Sequence, residues 1–204
     1  MPLEGIGLGY RYTKENWVFR KLDIRIEPGE VVGLVGPSGC GKSTLGKLLA
    51  GHQAPREGNI LLNGAPAQAA KGTPNPVQLV LQHPEQAVNP KWKLGRTLEE
   101  AGMADKVLLR ELAVEDAWLN RYPNELSGGE LQRICVARAL GAGPRYLIAD
   151  EMTTMLDAIT QAQIWYTVLQ WAKQSRAGIL AVTHDAALAG RLSGRILNWQ
   201  ELAG

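Results

Sequence analysis

The feature that most constrains this chain is a glycine-rich segment, residues 36–43, with the spacing G-x-x-x-x-G-K-S. An apolar, strand-forming run precedes it at residues 31–35, and a helix-forming run follows it at residues 44–50. Glycine permits backbone dihedrals that other residues avoid, so successive N–H groups can converge on an anion at the positive end of the helix. The pattern predicts a phosphate-binding loop between a strand and a helix. The alternative is a glycine-rich turn that carries a solvated lysine.

Each position of this loop has a predicted role. We expect Gly36, Gly39 and Gly41 to bend the backbone through dihedrals closed to other residues. Lys42 supplies a charge for the β- and γ-phosphates, and Ser43 supplies a hydroxyl for Mg²⁺. The predicted nucleotide-binding residues are Gly36, Pro37, Ser38, Gly39, Cys40, Gly41, Lys42, Ser43 and Thr44.

Composition and charge argue against several other classes of protein. The chain carries 22 Lys and Arg against 20 Asp and Glu, and it shows no basic stripe interleaved with aromatic residues, so we expect no nucleic-acid partner. Its two cysteines, Cys40 and Cys135, argue against a disulfide framework and for a reducing compartment. The N-terminus shows no charged-then-apolar pattern, so we expect no signal sequence, and no apolar run approaches the roughly 18–20 residues needed to span a bilayer. We expect a soluble, cytoplasmic protein that acts at a membrane only through a partner.

Polar side chains follow three further apolar runs. Asp150 and Glu151 follow one run, His184 follows a second, and Gln82 follows a third. In open α/β sheets, ligands gather just beyond the carboxyl ends of the strands. We expect Asp150 to hold Mg²⁺, Glu151 to orient or deprotonate a water, and His184 to contact the γ-phosphate, while Gln82 could meet Mg²⁺ or a water. The alternatives are a structural carboxylate pair, a structural histidine and a loop glutamine.

A second candidate phosphate site lies at residues 126–130, Leu-Ser-Gly-Gly-Glu, at the start of a helical pattern. Ser127 and Glu130 have the spacing of a capping box, so a plain helix start is the alternative. Gly128 and Gly129 would each cost about 1 kcal/mol against alanine in a helix. Their presence favours a ligand that approaches this backbone closely, and a helix N-terminus with a serine hydroxyl suits a phosphate.

The rest of the chain predicts a mixed organisation. Residues 1–14 and 18–26 are expected to form antiparallel strands that flank the phosphate-loop strand, and residues 59–64 a short edge strand. Residues 65–76 are expected to form an exposed connection. Residues 83–124 predict short helices of an inserted subdomain.

Several hydrophobic residues have open roles. Tyr12, or else Tyr10, could stack on an adenine ring, or it could simply pack on neighbouring strand residues. Trp92 and Trp118 could form a partner surface or a minor core. A long helix after residue 157 is expected to bury Ala162, Trp165, Val168, Leu169 and Ala172, and a last edge strand, residues 194–199, is expected to be followed directly by the end of the chain.

Taken in order, these motifs resemble those of the ATPase subunit of an ABC transporter, over essentially the full length of the chain. Residues 36–43 are similar to the Walker A motif, residues 126–130 to the signature, and residues 146–150 to Walker B. The resemblance implies that Gln82 is the Q-loop glutamine, Glu151 the catalytic glutamate, Asp157 the D-loop aspartate, His184 the switch histidine and Tyr12 the adenine-stacking aromatic.

Three segments, residues 82–90, 121–129 and 160–164, resemble the peptide and nickel importers within that family. The chain also departs from the family pattern. Met152 stands where the family usually has proline, and Thr154 and Met155 replace the commoner serine and alanine. These departures concern the geometry of the D-loop and leave the catalytic groups in place.

The resemblance implies an α/β fold of the ABC-type P-loop class, with a mainly parallel sheet, an N-terminal antiparallel β subdomain and a small inserted helical subdomain. It implies one domain over residues 1–204, in which residues 1–82 and 143–204 form the nucleotide-binding core and residues 83–142 form the helical insert with the signature helix.

The resemblance also implies ATP and Mg²⁺ as ligands, and ATP hydrolysis that drives import of a peptide or of nickel. The partners would be a second ATPase subunit placed head to tail, membrane permease subunits and, indirectly, an extracytoplasmic solute-binding protein. Ser127, Gly128 and Gly129 of one subunit would close on the ATP of the other at the inner face of the membrane. The alternatives are a soluble ABC ATPase in a non-transport process and a non-hydrolysing module, and the presence of Glu151 and His184 argues against the latter.

Overall fold

The computed structural model describes residues 1–67, 72–102 and 105–203, and within these residues nine strands form two sheets. One sheet is antiparallel and contains Leu3–Tyr10 (β1), Phe19–Ile26 (β2), Glu57–Leu62 (β4) and Ala65–Pro66 (β5). The other is parallel and contains Val31–Val35 (β3), Val77–Val80 (β6), Tyr146–Asp150 (β7), Gly178–Thr183 (β8) and Arg195–Asn198 (β9). The strand orders are β2-β1-β4-β5 and β6-β7-β8-β3-β9.

Helices connect and cover these strands. Three short 3-10 turns, at Pro84–Gln86, Asp116–Asn120 and Pro123–Glu125, accompany the helices that follow β6. Between residues 83 and 142, leaving aside 103 and 104, the chain forms helices and turns and no strand. The helices are Lys42–Leu49 (α1), Leu94–Glu100 (α2), Lys106–Glu111 (α3), Gly128–Gly141 (α4), Ala158–Ser175 (α5), Ala186–Leu192 (α6) and Trp199–Leu202 (α7).

The parallel sheet has a hydrophobic core on each face, which explains why its central strands are continuous apolar runs. Successive residues of β7 alternate between the two cores. Leu147 and Ala149 join α2, α4 and α5 on one face, whereas Tyr146 and Ile148 join α1 and the antiparallel sheet on the other. The helices of residues 83–142 share the first core, in which Trp118 is only 5% exposed. For Trp118 the core alternative is therefore confirmed, whereas Trp92 is half-buried beneath the guanidinium of Arg96.

The order of strands corrects two of the predictions. β1 and β2 do not flank the phosphate-loop strand, because β3 is hydrogen-bonded to β8 on one side and β9 on the other. β1 and β2 belong instead to a separate sheet. The predicted edge strand at residues 59–64 is also wrong, since β4 pairs with both β1 and β5. The Asn63-Gly64 turn after it takes positive φ at both residues, as a tight hairpin requires.

The last third of the chain brings two further corrections. Ala162 is exposed, because it lies about 160° around α5 from the buried Ile164 at 100° per residue. β9 is an edge strand as predicted, but α7 follows it before the chain ends. Parts of two other predictions, residues 68–71 of the exposed connection and Met103 of the helical insert, lie outside the described residues. Among the described residues, no helix combines the length and apolar character needed to cross a bilayer.

Candidate active site

The parallel sheet brings the phosphate loop, the two acids and the histidine to one edge. In the sheet, Val35 pairs with Thr183, and Asp150 pairs with Val182, so β3, β7 and β8 end side by side. The loop follows β3, Glu151 follows β7, and His184 follows β8. Three segments that are far apart in sequence therefore converge at the carboxyl edge, as the strand-end argument predicted.

The glycines of the phosphate loop are needed for two different reasons. Gly39 has φ 78° and Gly41 has φ 120°, both in the left-handed region, which confirms the predicted backbone requirement. Gly36 has no such dihedral, so the predicted reason was wrong for this residue. A Cβ on Gly36 would lie 2.6 Å from the Cβ of Trp199, and the position stays glycine because another side chain fills the space.

Lys42 is held inside the loop. Its side chain is buried, and Nζ donates hydrogen bonds to the carbonyl oxygens of Gly36 and Pro37, each at 2.7 Å. These acceptors are neutral, so they satisfy the ammonium hydrogens without cancelling the positive charge. The charge of Lys42 therefore remains available to a phosphate oxygen that binds in the loop.

Ser43 and Asp150 bring two hard oxygen donors together. Ser43 Oγ donates a hydrogen bond to Asp150 Oδ1 at 3.0 Å, although the residues lie 107 positions apart. Burial raises the pKa of the Asp150 carboxyl above its ordinary value, and the neighbouring Glu151 adds to the rise, while the Ser43 hydrogen bond opposes it. A buried carboxylate beside an exposed serine hydroxyl fits Mg²⁺, which prefers few protein oxygens and completes its shell with water and phosphate.

Glu151 is held by its neighbours in an unusual backbone conformation. Its φ of 47° is rare for a residue other than glycine, and its N–H donates to Val182 O at 3.0 Å. Glu151 Oε2 lies 3.2 Å from His184 Nδ1. The hydroxyl of Thr154 donates to the carbonyl oxygen of Glu151 at 2.5 Å and lies 3.5 Å from Oε2. The carboxylate thus has a fixed position at the sheet edge, which suits a group that must orient a water.

Tyr12 lies beside the first turn of α1. Its hydroxyl is 2.9 Å from Thr44 Oγ1, and the residue is 61% exposed, which leaves its ring open to a ligand. Tyr10, by contrast, is buried and meets the Tyr12 ring edge to face at 5.1 Å. Of the two tyrosines left open by the sequence, the geometry favours Tyr12 as a stacking surface. Thr44 is buried, and its hydroxyl holds Tyr12 in place through this hydrogen bond.

The signature segment forms the capping box of α4. Ser127 Oγ accepts from the N–H of Glu130 at 3.3 Å, and Glu130 Oε2 accepts from both the N–H and the hydroxyl of Ser127 at 2.7 Å. These hydrogen bonds from Ser127 hold the pKa of the Glu130 carboxyl below its ordinary value. A Cβ on Gly128 would meet no atom within 4 Å, so its own chain gives no packing reason for glycine there. The helix-start alternative is correct as a structural description, but it does not explain Gly128.

Two further predicted site residues have contacts elsewhere in this chain. Gln82 lines a cavity of about 330 Å³ together with Leu126, Gly128, Met152 and Met155. Asp157 caps α5, where its Oδ1 accepts from the N–H groups of residues 159 and 160 at 3.0 Å each. The Thr160 hydrogen bond is the main reason that the pKa of Asp157 is lowered.

The sequence reasoning missed two residues that touch the site. Thr154 braces Glu151, and the only signal for it was a hydroxyl three residues after a strand-end acid. Trp199 lies beneath the phosphate loop, and its signal was an aromatic residue directly after a strand that pairs with β3. Neither signal is specific before the strand order is known.

Comparison with known proteins agrees with this arrangement. The family described as ABC transporter matches residues 19–154, which include the phosphate loop, the signature, and both acids at the end of β7. The chain belongs to the ABC transporter family. At the level of the family this confirms the predicted function, an ATP-binding and ATP-hydrolysing subunit of a transporter.

Curated members of the family are similar over most of this chain. The glutathione import ATP-binding protein GsiA of Pectobacterium atrosepticum is 34% identical over 207 residues, which cover 93% of this chain but 33% of that protein. The nickel import ATP-binding protein NikE of Rhodospirillum rubrum is 36% identical over 200 residues, which cover 88% of this chain and 71% of that protein. The chain thus spans one third of the first relative and most of the second.

Solved ABC cassettes have the same fold. An ATP-binding subunit of an ABC transporter superimposes with a TM-score of 0.85 at 25% identity, covering 97% of this chain and 85% of that one. A dimeric bacterial ABC transporter cassette superimposes with a TM-score of 0.82 at 23% identity, covering 97% and 94%. The predicted ABC-type α/β fold, with one parallel and one antiparallel sheet, is confirmed.

Proposed function

We propose that this ABC ATPase binds Mg²⁺-ATP at the carboxyl edge of its parallel sheet and hydrolyses it there to drive import of a small solute. The observation that carries this proposal is the joint placement of two pairs at one edge, Ser43 with Asp150 and Glu151 with His184. The first pair offers oxygen ligands and the second offers a braced carboxylate. Together with the loop lysine they supply the parts that phosphoryl transfer to water requires.

The chain's own residues would divide the work as follows. The N–H groups of the loop and the ammonium of Lys42 bind the phosphates and stabilise the charge that develops on the transferring group. Glu151 orients the attacking water and accepts its proton, while His184 holds the Glu151 carboxylate and contacts the γ-phosphate. Tyr12 provides a face for the adenine ring. Mg²⁺, held by Ser43 and Asp150, would neutralise phosphate charge when bound.

The signature segment would serve a second subunit. Ser127 and the N–H groups of Gly128 and Gly129 belong to one helix end. A Cβ on Gly128 would meet no atom within 4 Å, and Gly128 lines the cavity that contains Gln82. We infer a head-to-tail dimer in which this helix end closes on ATP bound to the partner. Closure of the dimer brings the Asp157 segment to the interface. The nucleotide-binding core, residues 1–82 and 143–204, and the helical insert, residues 83–142, would move relative to each other on closure.

The solute is proposed from the relatives. The most informative names describe import of glutathione and of nickel, so we propose a small peptide or a nickel complex as the imported solute. Membrane permease subunits, docked near Gln82 and the helical insert, would carry the solute, and an extracytoplasmic binding protein would deliver it. The subunit would then lie at the inner face of the membrane. No feature of the site favours a non-transport process.

The hydrolytic proposal is tested with Glu151→Gln. The amide keeps the shape of the carboxylate but is a poor base, so we expect ATP to bind with unchanged affinity and phosphate release to fall by a factor of about 100 or more. The variant should also accumulate as an ATP-bound dimer in size-exclusion chromatography. The matched control is Glu57→Gln, which removes a carboxylate that pairs with Arg20 in the antiparallel sheet. Wild-type turnover in Glu151→Gln would refute the assigned role.

The solute is tested in cells that express this subunit with its permeases. Uptake of radiolabelled nickel and of a labelled tripeptide is compared between wild type and Glu151→Gln. We expect one of the two solutes to accumulate with wild type only. Equal uptake of both solutes with either protein would contradict the import proposal, although it would leave the ATPase assignment untouched.

A further inference from the structure

Trp199 lies directly beneath the phosphate loop. A Cβ added to Gly36 would lie 2.6 Å from Trp199 Cβ, and one added to Gly41 would lie 2.8 Å from Cζ2 and 3.2 Å from Cη2. The indole therefore extends from the first glycine of the loop to the last. It is only 5% exposed, so this contact is part of the packed interior.

We propose that Trp199 is a positioning residue, which fixes the conformation of the phosphate loop and thereby sets the affinity for ATP. This inference rests on the proposed function, since it concerns the same loop. Trp199 touches no reacting atom. Its effect passes through the backbone that it supports.

The strand register explains why this residue reaches the loop. β9 pairs in parallel with β3, and Val35 lies opposite Asn198. Gly36 follows Val35, and Trp199 follows Asn198, so these two segments leave the sheet side by side. An aromatic residue at this position must lie against the start of the loop. Gly36, which lacks a side chain, leaves room for it.

Two further side chains lie next to the indole or to the loop that it supports. Phe19 meets it edge to face, with ring centroids 5.6 Å apart and an interplanar angle of 81°. Val18 Cγ1 lies 2.7 Å from the position that a Cβ of Gly41 would occupy, so Val18 adjoins the same end of the loop as the indole. Aromatic pairs of this geometry contribute beyond the area they bury. The support is thus a rigid cluster built from β2, the segment before it, and α7.

A loop that contains Gly39 and Gly41 in left-handed conformations needs such support. Glycine loses more conformational freedom on ordering than any other residue, and without a fixed surface beneath it the loop would sample many conformations. The carbonyl oxygens of Gly36 and Pro37 also hold Lys42, so a shift at Gly36 would shift the lysine as well. Preorganisation of this kind lowers the cost of binding a ligand.

The proposal is tested with Trp199→Phe. Phenylalanine keeps Cβ and Cγ, which contact Gly36, but lacks the Cζ2 and Cη2 atoms that lie beneath Gly41. We expect the Kd for ATP to rise about tenfold, while kcat at saturating ATP changes by less than about threefold, because misplacement of a binding group by a fraction of an ångström has effects of this order. Affinity is measured by isothermal titration calorimetry with Mg²⁺-ATP, and kcat by phosphate release.

The matched control is Trp118→Phe. Trp118 is also 5% exposed, but it lies in the helical part of the other core. We expect both substitutions to lower the free energy of unfolding to a similar extent, and only Trp199→Phe to weaken ATP binding. An ATP-induced change in tryptophan fluorescence should persist in Trp118→Phe and diminish in Trp199→Phe. A merely structural role for Trp199 would make the two variants alike in Kd.

A second, smaller substitution keeps the proposal testable if Trp199→Phe does not fold. Val18→Ala removes the other side chain that adjoins Gly41, and we expect it to raise the Kd about threefold with little change in kcat. An unchanged Kd in both Trp199→Phe and Val18→Ala, beside a wild type that binds ATP, would overturn this inference alone. A wild type that binds no ATP would overturn the proposed function, and this inference with it.

Discussion

The carboxyl edge of the parallel sheet and the N-terminus of α4 are both expected to bind phosphate, yet they are built differently. At the sheet edge, two functional groups are held by distant segments of the same chain, Ser43 by Asp150 and Glu151 by His184, and Lys42 is held by its own loop. At α4, Ser127 and Glu130 hydrogen-bond to each other through side chains and backbone N–H groups, and a Cβ at Gly128 would meet no atom within 4 Å. The sheet-edge site is assembled from segments that are far apart in the chain. The site at α4 is formed by neighbouring residues, and the space beside Gly128 is not filled by this chain.

The difference indicates which functions a single chain can perform. A preorganised sheet edge can bind nucleotide alone, since its contacts exist before any partner arrives. The open helix end becomes useful only when something outside the chain reaches it. We therefore expect substitutions at the sheet edge to change nucleotide binding already in the monomer, and substitutions at α4 that keep the helix cap to change only what depends on the dimer.

The largest effect is expected at Lys42. Lys42→Met keeps the length of the side chain but removes the charge, and a lost charge-assisted hydrogen bond in a loop of this kind costs about 2–3 kcal/mol of binding free energy. The Kd for ATP should rise by a factor of about 30–150 in dilute, monomeric protein. Calorimetric titration measures it, with Lys173→Met on the exposed side of α5 as the control. A loss seen only at concentrations that permit dimers would remove the distinction between the two regions.

Substitutions of Ser127 can separate its role as the N-cap of α4 from its proposed role as a ligand for the partner's ATP. Ser127→Asn keeps a good N-cap and Ser127→Asp does so too, but the aspartate adds a charge that repels phosphate. We expect both variants to retain monomer stability and ATP affinity. Hydrolysis at high protein concentration should fall about tenfold in the asparagine variant and further in the aspartate variant. Ser127→Ala should in addition lose about 1 kcal/mol of stability.

If capping is the whole role of Ser127, the asparagine and aspartate variants should hydrolyse ATP at the wild-type rate. Phosphate release measured across a protein dilution series decides between the two outcomes. In wild type, the specific activity should itself fall on dilution, because the shared site dissociates.

A substitution at Asp150 tests whether this carboxylate lowers the stability of the fold. Because burial raises the pKa of this carboxyl above that of the unfolded chain, its ionised form destabilises the fold, and the cost is present above the folded pKa. Asp150→Asn keeps an oxygen that can accept from Ser43 and removes that charge. We expect it to raise the free energy of unfolding by about 1 kcal/mol at pH 7 without nucleotide.

The stabilisation by Asp150→Asn is expected to depend on pH. The gain should diminish as the pH falls through the folded pKa and vanish below the ordinary aspartate value, because the wild-type carboxyl is then neutral in both states. Urea unfolding at several pH values measures it. The same variant should lose Mg²⁺-dependent hydrolysis. A destabilised Asp150→Asn at neutral pH would contradict the assignment of Asp150 as a buried charge without a full counter-ion.

The smallest effect is expected at Thr154. Thr154→Ser keeps the hydroxyl that bonds to the Glu151 carbonyl, whereas Thr154→Val removes it at nearly constant volume. We expect kcat to fall about threefold in the valine variant only, since a neutral hydrogen bond contributes about 1 kcal/mol. The KM for ATP should not change in either variant. Equal rates in both would show that the strained backbone of Glu151 is held by other contacts.

Much of the site was predictable because its parts are tied to strand ends. Asp150, Glu151 and His184 each lie at or directly after the end of an apolar run, and parallel strands share one carboxyl edge. Gln82 also follows an apolar run, and it lines the cavity beside Met152 and Met155. The rule fixes the edge of the sheet and not the position along it, since β6 is the outermost strand on that side.

The substituted D-loop segment shows a second limit. The sequence marked Met152, Thr154 and Met155 as departures without saying what each would do. In the fold Met152 is 2% exposed and packs in the core, while Met155 is 65% exposed. Two methionines three positions apart thus have opposite environments, within a segment of successive turns closed by hydrogen bonds from Thr154 to Glu151 and from Leu156 to Thr153.

The sequence by itself determined the class of loop, the identity of its charged and hydroxyl-bearing residues, and the strand ends on which they lie, because these depend on local spacing and on the periodicity of apolar runs. Only the tertiary structure decided that Gly36 is required by Trp199, and that β1 and β2 leave β3 to pair with β8 and β9. Those facts depend on which strands become neighbours, and contacts between segments more than 100 residues apart leave no pattern in either segment alone.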